Sequence, residues 1–159
     1  DAMKQIEKYN LHNTILEYAK SSKPLLGICL GMQILLTVSY EFGVHKGLGL
    51  IEGKVIKISN EKNKEIKIPH MGWNEIYPNN NQNEWQNKIL KNLPTGKSFY
   101  FVHSFVCITK DNDSTIAVCN YSNISIPAVI ASGNVFGCQF HPEKSADNGL
   151  DVLKNFCEA

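Results

Sequence analysis

Apolar residues recur early in the chain at Met3, Ile6, Ile15, Leu16 and Ala19, spacings that fit one face of a helix. The polar stretch Asn10–Asn13 interrupts them, so Asp1–Lys20 reads as helix divided into two short pieces. After Ser21–Ser22 the chain is mainly apolar over Lys23–Cys29, the pattern of a buried parallel strand. Leu30–Phe42 is apolar on several sides and rich in helix formers, which predicts a helix stopped by Gly43. Gly47–Ile58 and Glu65–Ile68 read as strands on either side of the charged turn Asn60–Lys64. Tyr77–Asn92, dense in Asn and Gln, reads as a solvated loop with a short helical piece near Trp85–Leu90. Ser98–Thr109, Thr115–Tyr121, Ala128–Ser132 and Val135–Phe140 predict further strands. Ser145 stands where it could cap a closing helix that carries Leu150, Leu153 and Phe156. An early strand-to-helix step followed by a strand-rich middle predicts an α/β protein on a mixed sheet.

Composition narrows this without redirecting it. At 159 residues, 43% apolar and 19% charged, residues 1–159 read as a single domain with a sizeable core. A formal net charge of +1 gives no electrostatic reason to invoke nucleic acid or a membrane surface. The longest apolar run, Pro24–Val38, is broken by Gly27, Gly31 and Gln33 and is too short to predict a membrane span. Five cysteines, an odd number with no CxxC pair, fit free thiols in a reducing cytoplasm better than a disulfide framework. No metal or cofactor is expected. The matches to the N-glycosylation pattern at Asn112, Asn120 and Asn123 read as accidents of an Asn-rich chain.

The chemistry concentrates at two places. Gly27-Ile28-Cys29-Leu30-Gly31 lies where a strand should turn directly into a helix, the cysteine form of a nucleophile elbow. Flanking glycines would remove Cβ atoms that clash in so tight a turn. The new helix would present unpaired N–H groups and its dipole to the thiol, favouring thiolate, and the Leu30 N–H would be one oxyanion donor. Taken alone, GxCxG fits a small buried cysteine equally well. Cys107, Cys119, Cys138 and Cys157, in apolar strand-like or helical contexts, read as structural. A cysteine nucleophile needs a base and an orienting carboxylate, and Phe140-His141-Pro142-Glu143 offers both. Residues two apart on an extended chain project to one side, and Pro142 holds His141 out of the helical region. His141 and Glu143 can therefore converge on one place, and the cysteine elbow upstream makes the pair a strong signal.

Together, GICLGMQ (Gly27–Gln33) and FHPE (Phe140–Glu143) resemble the class I glutamine amidotransferases. PHMGWN (Pro69–Asn74), YFVHSF (Tyr100–Phe105) and HPEKS (His141–Ser145) resemble, within that family, the glutaminase subunits of imidazole glycerol phosphate synthase. The resemblance implies a three-layer α/β sandwich with a mixed, mainly parallel central sheet. It also implies glutamine hydrolysis through a Cys29 thioester, with His141 as proton shuttle and Glu143 as its orienting partner. Gln33 and the main chain at Ser104 and Phe105 match positions that hold the glutamine substrate. Met71, Trp73, Tyr100 and Lys144 match positions at or near the interface with a (β/α)8-barrel cyclase subunit, the expected heterodimer partner, which receives the ammonia for histidine biosynthesis. His70 and His103 read as structural histidines, and His12 and His45 as surface residues. Two other readings stay open: a glutaminase serving a different synthetase, such as one that amidates sugars, and a non-catalytic docking subunit. Family members carry a strand and a PGVG loop just before an Asp-Ala-Met stretch like Asp1–Met3. The chain is therefore expected to be a fragment lacking that loop's oxyanion donor, a loss typically costing about 10²–10³ in rate.

Overall fold

Two short helices, α1 (Ala2–Lys8) and α2 (Leu11–Lys20), separate at Asn10, whose φ of 56° breaks the helical path. Asparagine visits this left-handed region more readily than most residues, so the expected interruption falls where the polar residues stand. The computed structural model describes residues 2–59, 66–79, 84–85 and 87–159. The turn expected at Asn60–Lys64 lies outside these residues, as does Glu65.

Strand β1 (Leu25–Ile28) runs straight into helix α3 (Leu30–Ile34). There follow β2 (Leu36–Ser39), β3 (His45–Lys46), β4 (Ile51–Lys57) and β5 (His70–Pro78). Next come β6 (Ser98–His103), β7 (Phe105–Thr109), β8 (Thr115–Tyr121), β9 (Ile124–Ser132) and β10 (Val135–Cys138). Helix α4 (Ala146–Cys157) closes the fold. One sheet has the order β1-β10-β9-β8-β5-β6 and a second the order β3-β2-β4-β7.

Alternation along β9 and β10 explains the layering. Val129, Ala131, Phe136 and Cys138 enter one core with Val152 and Phe156 of α4. Ile130 and Val135 face the opposite way, into a second core with Met32 and Leu35, against which Met3, Ile15 and Ala19 of the opening helices pack. The six-stranded sheet is thus covered by α4 on one face and by α1–α3 with the smaller sheet on the other.

Several expectations are corrected. Among the described residues, β1–β10 and β2–β4 are the parallel pairings and the other six are antiparallel, so the mixed sheet is not mainly parallel. The helix expected over Leu30–Phe42 ends at Ile34, because Leu36–Ser39 instead pairs with β3 and β4. Leu36-Thr37-Val38-Ser39 alternates apolar with polar, a strand pattern too short to stand out beside the apolar run before it, and pairing decides. Residues 47–50 are not strand, and Ile66–Ile68 do not form the expected strand either. Strand β5, absent from the sequence reading, carries most of the PHMGWN motif and takes Tyr77 from the expected loop. The helical piece near Trp85–Leu90 is a 3-10 turn at Lys88–Leu90. Ser98–Thr109 breaks at Ser104 into strands of two different sheets. Ser145 does not cap α4 with its side chain, and Leu150 is exposed where it was expected to pack.

Candidate active site

The elbow forms because Gly27 lets helix and strand approach. A Cβ there would lie 2.5 Å from both C and O of Gly31 and 2.8 Å from the Met32 nitrogen. Gly31, by contrast, meets nothing within 4 Å. The expected role of both glycines therefore holds for Gly27 alone. Between them Cys29 has φ 51° and ψ −105°, an uncommon conformation for a residue with a side chain. Backbone strain of this kind is sparsely populated and clusters at functional sites, and it leaves the Cys29 side chain half-buried at the tip of the strand-to-helix turn.

Strand pairing carries the second motif to the first. β1 and β10 run parallel in register Ile28↔Cys138, and the Cys29 N–H donates to the Cys138 carbonyl at 2.7 Å. The chain continuing from β10 is held by Gln139 N–H to Ala128 O and by His141 N–H to Tyr100 O, both 2.9 Å. A short 3-10 turn at Pro142–Lys144 then folds Glu143 back, and His141 Nδ1 lies 2.6 Å from Glu143 Oε1. With the Nδ1 proton donated to the carboxylate, Nε2 keeps its lone pair and can act as a base. The turn is braced from behind. Ser145, fully buried, donates its hydroxyl to His141 O at 2.6 Å and accepts from Tyr100 N–H at 3.0 Å. Gly149 of α4 presses against Pro142, where a Cβ would fall 1.9 Å from the carbonyl oxygen.

The thiol itself differs from the expectation. Burial pushes the Cys29 pKa up, as do the Glu143 and Glu41 carboxylates, and the lowering by the Leu30 N–H and the Gln139 amide does not compensate. Helix α3 has five residues and cannot supply a long dipole. The resting group is thus a thiol, which donates to Val102 O at 3.9 Å and accepts from Gln139 Nε2–H at 3.7 Å. Cys29 and His141 occupy one end of the paired strands without a direct hydrogen bond. Cys107, Cys119 and Cys138 are buried, and burial raises all three thiols, Cys119 to about 12. Cys157 is exposed, contrary to a packing role.

Gln33 is buried and donates Nε2–H to Phe105 O at 3.4 Å, so the structure brings together two of the residues read as substrate-holding. The third, Ser104, has its carbonyl taken by Ile58 N–H at 3.0 Å. A pocket of about 480 Å³ adjoins the elbow, walled by Leu30, Gln33, Glu41, Phe42 and Lys46 among others. Cys29 and His141 do not line it. Glu41 and Lys46 give that wall both charges. Glu41 was not singled out from the sequence, where it sits inside the stretch read as a helix end. Its electrostatic effect on Cys29 is what identifies it.

His103 Nδ1–H donates to Phe105 O at 2.8 Å, His70 Nδ1 lies 2.9 Å from His103 Nε2, and His70 Nε2 lies 2.8 Å from Asn74 Oδ1. His70 is stacked on Phe101 and Tyr121. Burial lowers both pKa values, His103 to about 4. Such neutral, enclosed imidazoles are structural. His45 is exposed and His12 half-buried.

Met71 and Trp73 project from β5 and are 58% and 53% exposed. Trp73 is paired with Tyr100, its ring 6.1 Å away and steeply inclined. Lys144 is exposed on the turn that holds Glu143, between His141 and Ser145, which are both hydrogen-bonded to the Tyr100 backbone. The four residues read as interface thus lie on or beside an exposed apolar face, and the Tyr100 backbone ties that face to His141. Among the described residues no group of three or more His, Cys, Asp or Glu is placed to hold a metal. No described helix is long and apolar enough to cross a membrane.

Comparison with known proteins adds the following. The family described as Glutamine amidotransferase class-I matches residues 5–159. Imidazole glycerol phosphate synthase subunit HisH 1 of Legionella pneumophila (strain Lens) is 44% identical over 160 residues, which cover 99% of this chain and 75% of that protein. Subunit HisH of Wolinella succinogenes is 46% identical over 159 residues, with the same shares covered. A solved structure of a GMP synthase subunit from Thermoplasma acidophilum has a TM-score of 0.59 at 20% identity, over 96% of this chain and 65% of that one. A solved glutamine amidotransferase has a TM-score of 0.60 at 18% identity, over 97% and 72%. The chain spans just under two thirds of the Thermoplasma protein, and at these identities the two structures speak for the fold alone.

Proposed function

Because the chain belongs to the class I glutamine amidotransferases, we propose that it is a glutaminase subunit supplying ammonia to an imidazole glycerol phosphate synthase. The observation that carries this is the placement of a strained cysteine elbow and a His–Glu pair just beyond the same ends of two parallel neighbouring strands. The relatives' names favour the histidine-pathway acceptor over a sugar-amidating one.

In this reading a glutamine side-chain amide sits against Cys29. Because the resting group is a thiol, attack requires His141 Nε2 to take the sulfhydryl proton as the sulfur bonds to the amide carbon. Glu143 stabilises the resulting imidazolium. As charge passes from the sulfur into the substrate, the Leu30 N–H, which donates at the sulfur beforehand, would shift to the developing oxyanion. Collapse breaks the C–N bond, His141 returns the proton to the leaving nitrogen, and ammonia departs from a γ-glutamyl thioester. Water activated by His141 then releases glutamate. Gln33, Glu41 and the main chain at Ser104 and Phe105 would hold the substrate's polar groups. Met71, Trp73, Tyr100 and Lys144 would form the docking face for a (β/α)8-barrel cyclase that receives the ammonia, a cytoplasmic arrangement. No cofactor is required by these steps.

The test is Cys29→Ala in the complex with the cyclase. Glutamine-dependent synthesis should vanish, while synthesis supported by added ammonium salt should persist. Equal loss of both activities would remove Cys29 from the nucleophile role, and full retention of both would do the same.

A further inference from the structure

Gln139 belongs to neither motif as read from the sequence, yet it occupies the first position of a series. Gln139, His141 and Glu143 stand two apart on the chain leaving β10, and the backbone N–H groups of Gln139 and His141 are fastened to Ala128 and Tyr100. Gln139 is wholly buried. Its Nε2 donates to Cys29 Sγ at 3.7 Å, whereas its Oε1 is buried with no hydrogen-bond partner among the described residues.

That asymmetry is informative. A buried amide carbonyl without a partner is destabilising, and native folds keep few such groups. Turned over, the same amide would aim its acceptor at the sulfur and leave its donor unpaired. The fold instead keeps the positive end of a buried dipole on the sulfur and leaves the negative end unsatisfied. An N–H donor at sulfur favours the deprotonated form, since a thiolate accepts and no longer donates. Val102 O, the acceptor of the thiol proton, loses its partner when that proton leaves.

We propose that the Gln139 side-chain amide is a fixed donor to Cys29 that stabilises the thiolate generated when the nucleophile is activated. This rests on the reading of Cys29 as nucleophile and His141 as its base. The other groups that act on the sulfur sharpen the need for such a donor. Glu143, on the turn after β10, and Glu41, after β2, both oppose ionisation, and Cys107 of β7 lies within electrostatic reach. His103 of β6 is neutral well above pH 4 and adds no positive charge near neutrality. The Leu30 N–H is the other donor at the sulfur.

The test is the rate of alkylation by iodoacetamide between pH 6 and 10, read peptide by peptide in the intact chain. Exposed Cys157 serves as internal reference in every sample. Gln139→Met keeps the approximate volume and removes the donor. Its Cys29 rate at pH 8 should fall about 3- to 10-fold relative to Cys157, since each unit of pKa changes the thiolate fraction about tenfold below the pKa. Gln139→Glu, with an oxygen in place of the nitrogen, should lower it at least as far. A Cys29/Cys157 ratio within twofold of wild type in a folded Gln139→Met protein would overturn the proposal. Should both variants fail to fold, the unmodified protein still decides. The Gln139 side-chain amide resonances should titrate with the Cys29 midpoint, and their indifference to it would sink the idea. His141→Asn separates the two claims: if it leaves the Cys29 profile unchanged while Gln139→Met shifts it, the base assignment fails and the donor stands. The reverse result refutes the donor alone.

Discussion

The two glycines that flank Cys29 look equivalent in sequence and differ sharply in space, which makes them a discriminating perturbation. In Gly27→Ala the new methyl would meet three backbone atoms, at 2.5, 2.5 and 2.8 Å, none of which can rotate away. Opening the shortest of these to an ordinary 3.4 Å contact requires α3 to move by about 0.9 Å from β1. Overpacking of this kind costs about 1–3 kcal/mol, which in a domain of this size lowers Tm by roughly 2–12 °C. The same displacement moves the elbow, and a misplacement of about 1 Å can cost on the order of 100-fold in rate. Gly31→Ala introduces a methyl into open space within a helix, at a residue without positive φ. Alanine is the better helix former by up to about 1 kcal/mol, so Tm should hold or rise by a few degrees. Thermal denaturation followed by circular dichroism, with the two variants side by side, reads the difference. Equal destabilisation by both, or a larger loss for Gly31→Ala, would refute the assignment of the close approach to Gly27.

Two further outcomes follow from the surroundings of the site. Gly149→Ala would set a Cβ 1.9 Å from Pro142 O, so α4 and the Pro142–Lys144 turn must separate; we expect a loss of about 1–3 kcal/mol in urea denaturation together with reduced glutaminase activity, and unchanged stability would show that the contact does not brace the turn. His103 has its folded pKa depressed from 6.5 to about 4 by burial. The unfolded chain therefore binds a proton first as pH falls, and stability is lost progressively from about pH 6.5 down to pH 4. Between pH 7 and pH 5 this amounts to about 2 kcal/mol, and His70, lowered for the same reason, acts in the same direction. Urea denaturation at the two pH values should show a smaller difference in His103→Gln than in wild type, and an identical difference would contradict the burial of a neutral imidazole.

What could be read from the sequence was what depends on short separations. The break at Asn10 and strand β1 follow from residues within a few positions of one another, and so does the facing of His141 and Glu143 across Pro142. What could not be read depends on partners far along the chain. Leu36–Ser39 became strand because residues of β4 and β3 lay beside it, and its Leu-Thr-Val-Ser alternation is only four residues long and follows directly on the apolar run of α3, so the local signal for strand was too brief to end the expected helix. PHMGWN showed as a motif but not as a strand, since Gly72 and the polar Asn74 disguise an alternation whose buried face is completed by β6 and β8. The protonation of Cys29 is the same lesson in chemical form. The elbow geometry was legible in GICLG, but the charge state depends on burial by distant strands and on Glu41 and Glu143, both of which resist ionisation. That result changes what the His–Glu pair is for. A preformed thiolate would leave His141 with the leaving group as its main task. In the proposed mechanism a half-buried, protonated thiol makes proton removal part of the first step, so His141, held by Tyr100 O from behind and by Glu143 at Nδ1, would have to be in place before substrate reacts. Tyr100 joins the two features: its ring meets the exposed Trp73, its N–H reaches Ser145 Oγ and its carbonyl holds the His141 N–H, so in the proposed complex a partner docked on Trp73 would bear on the backbone that fixes the base.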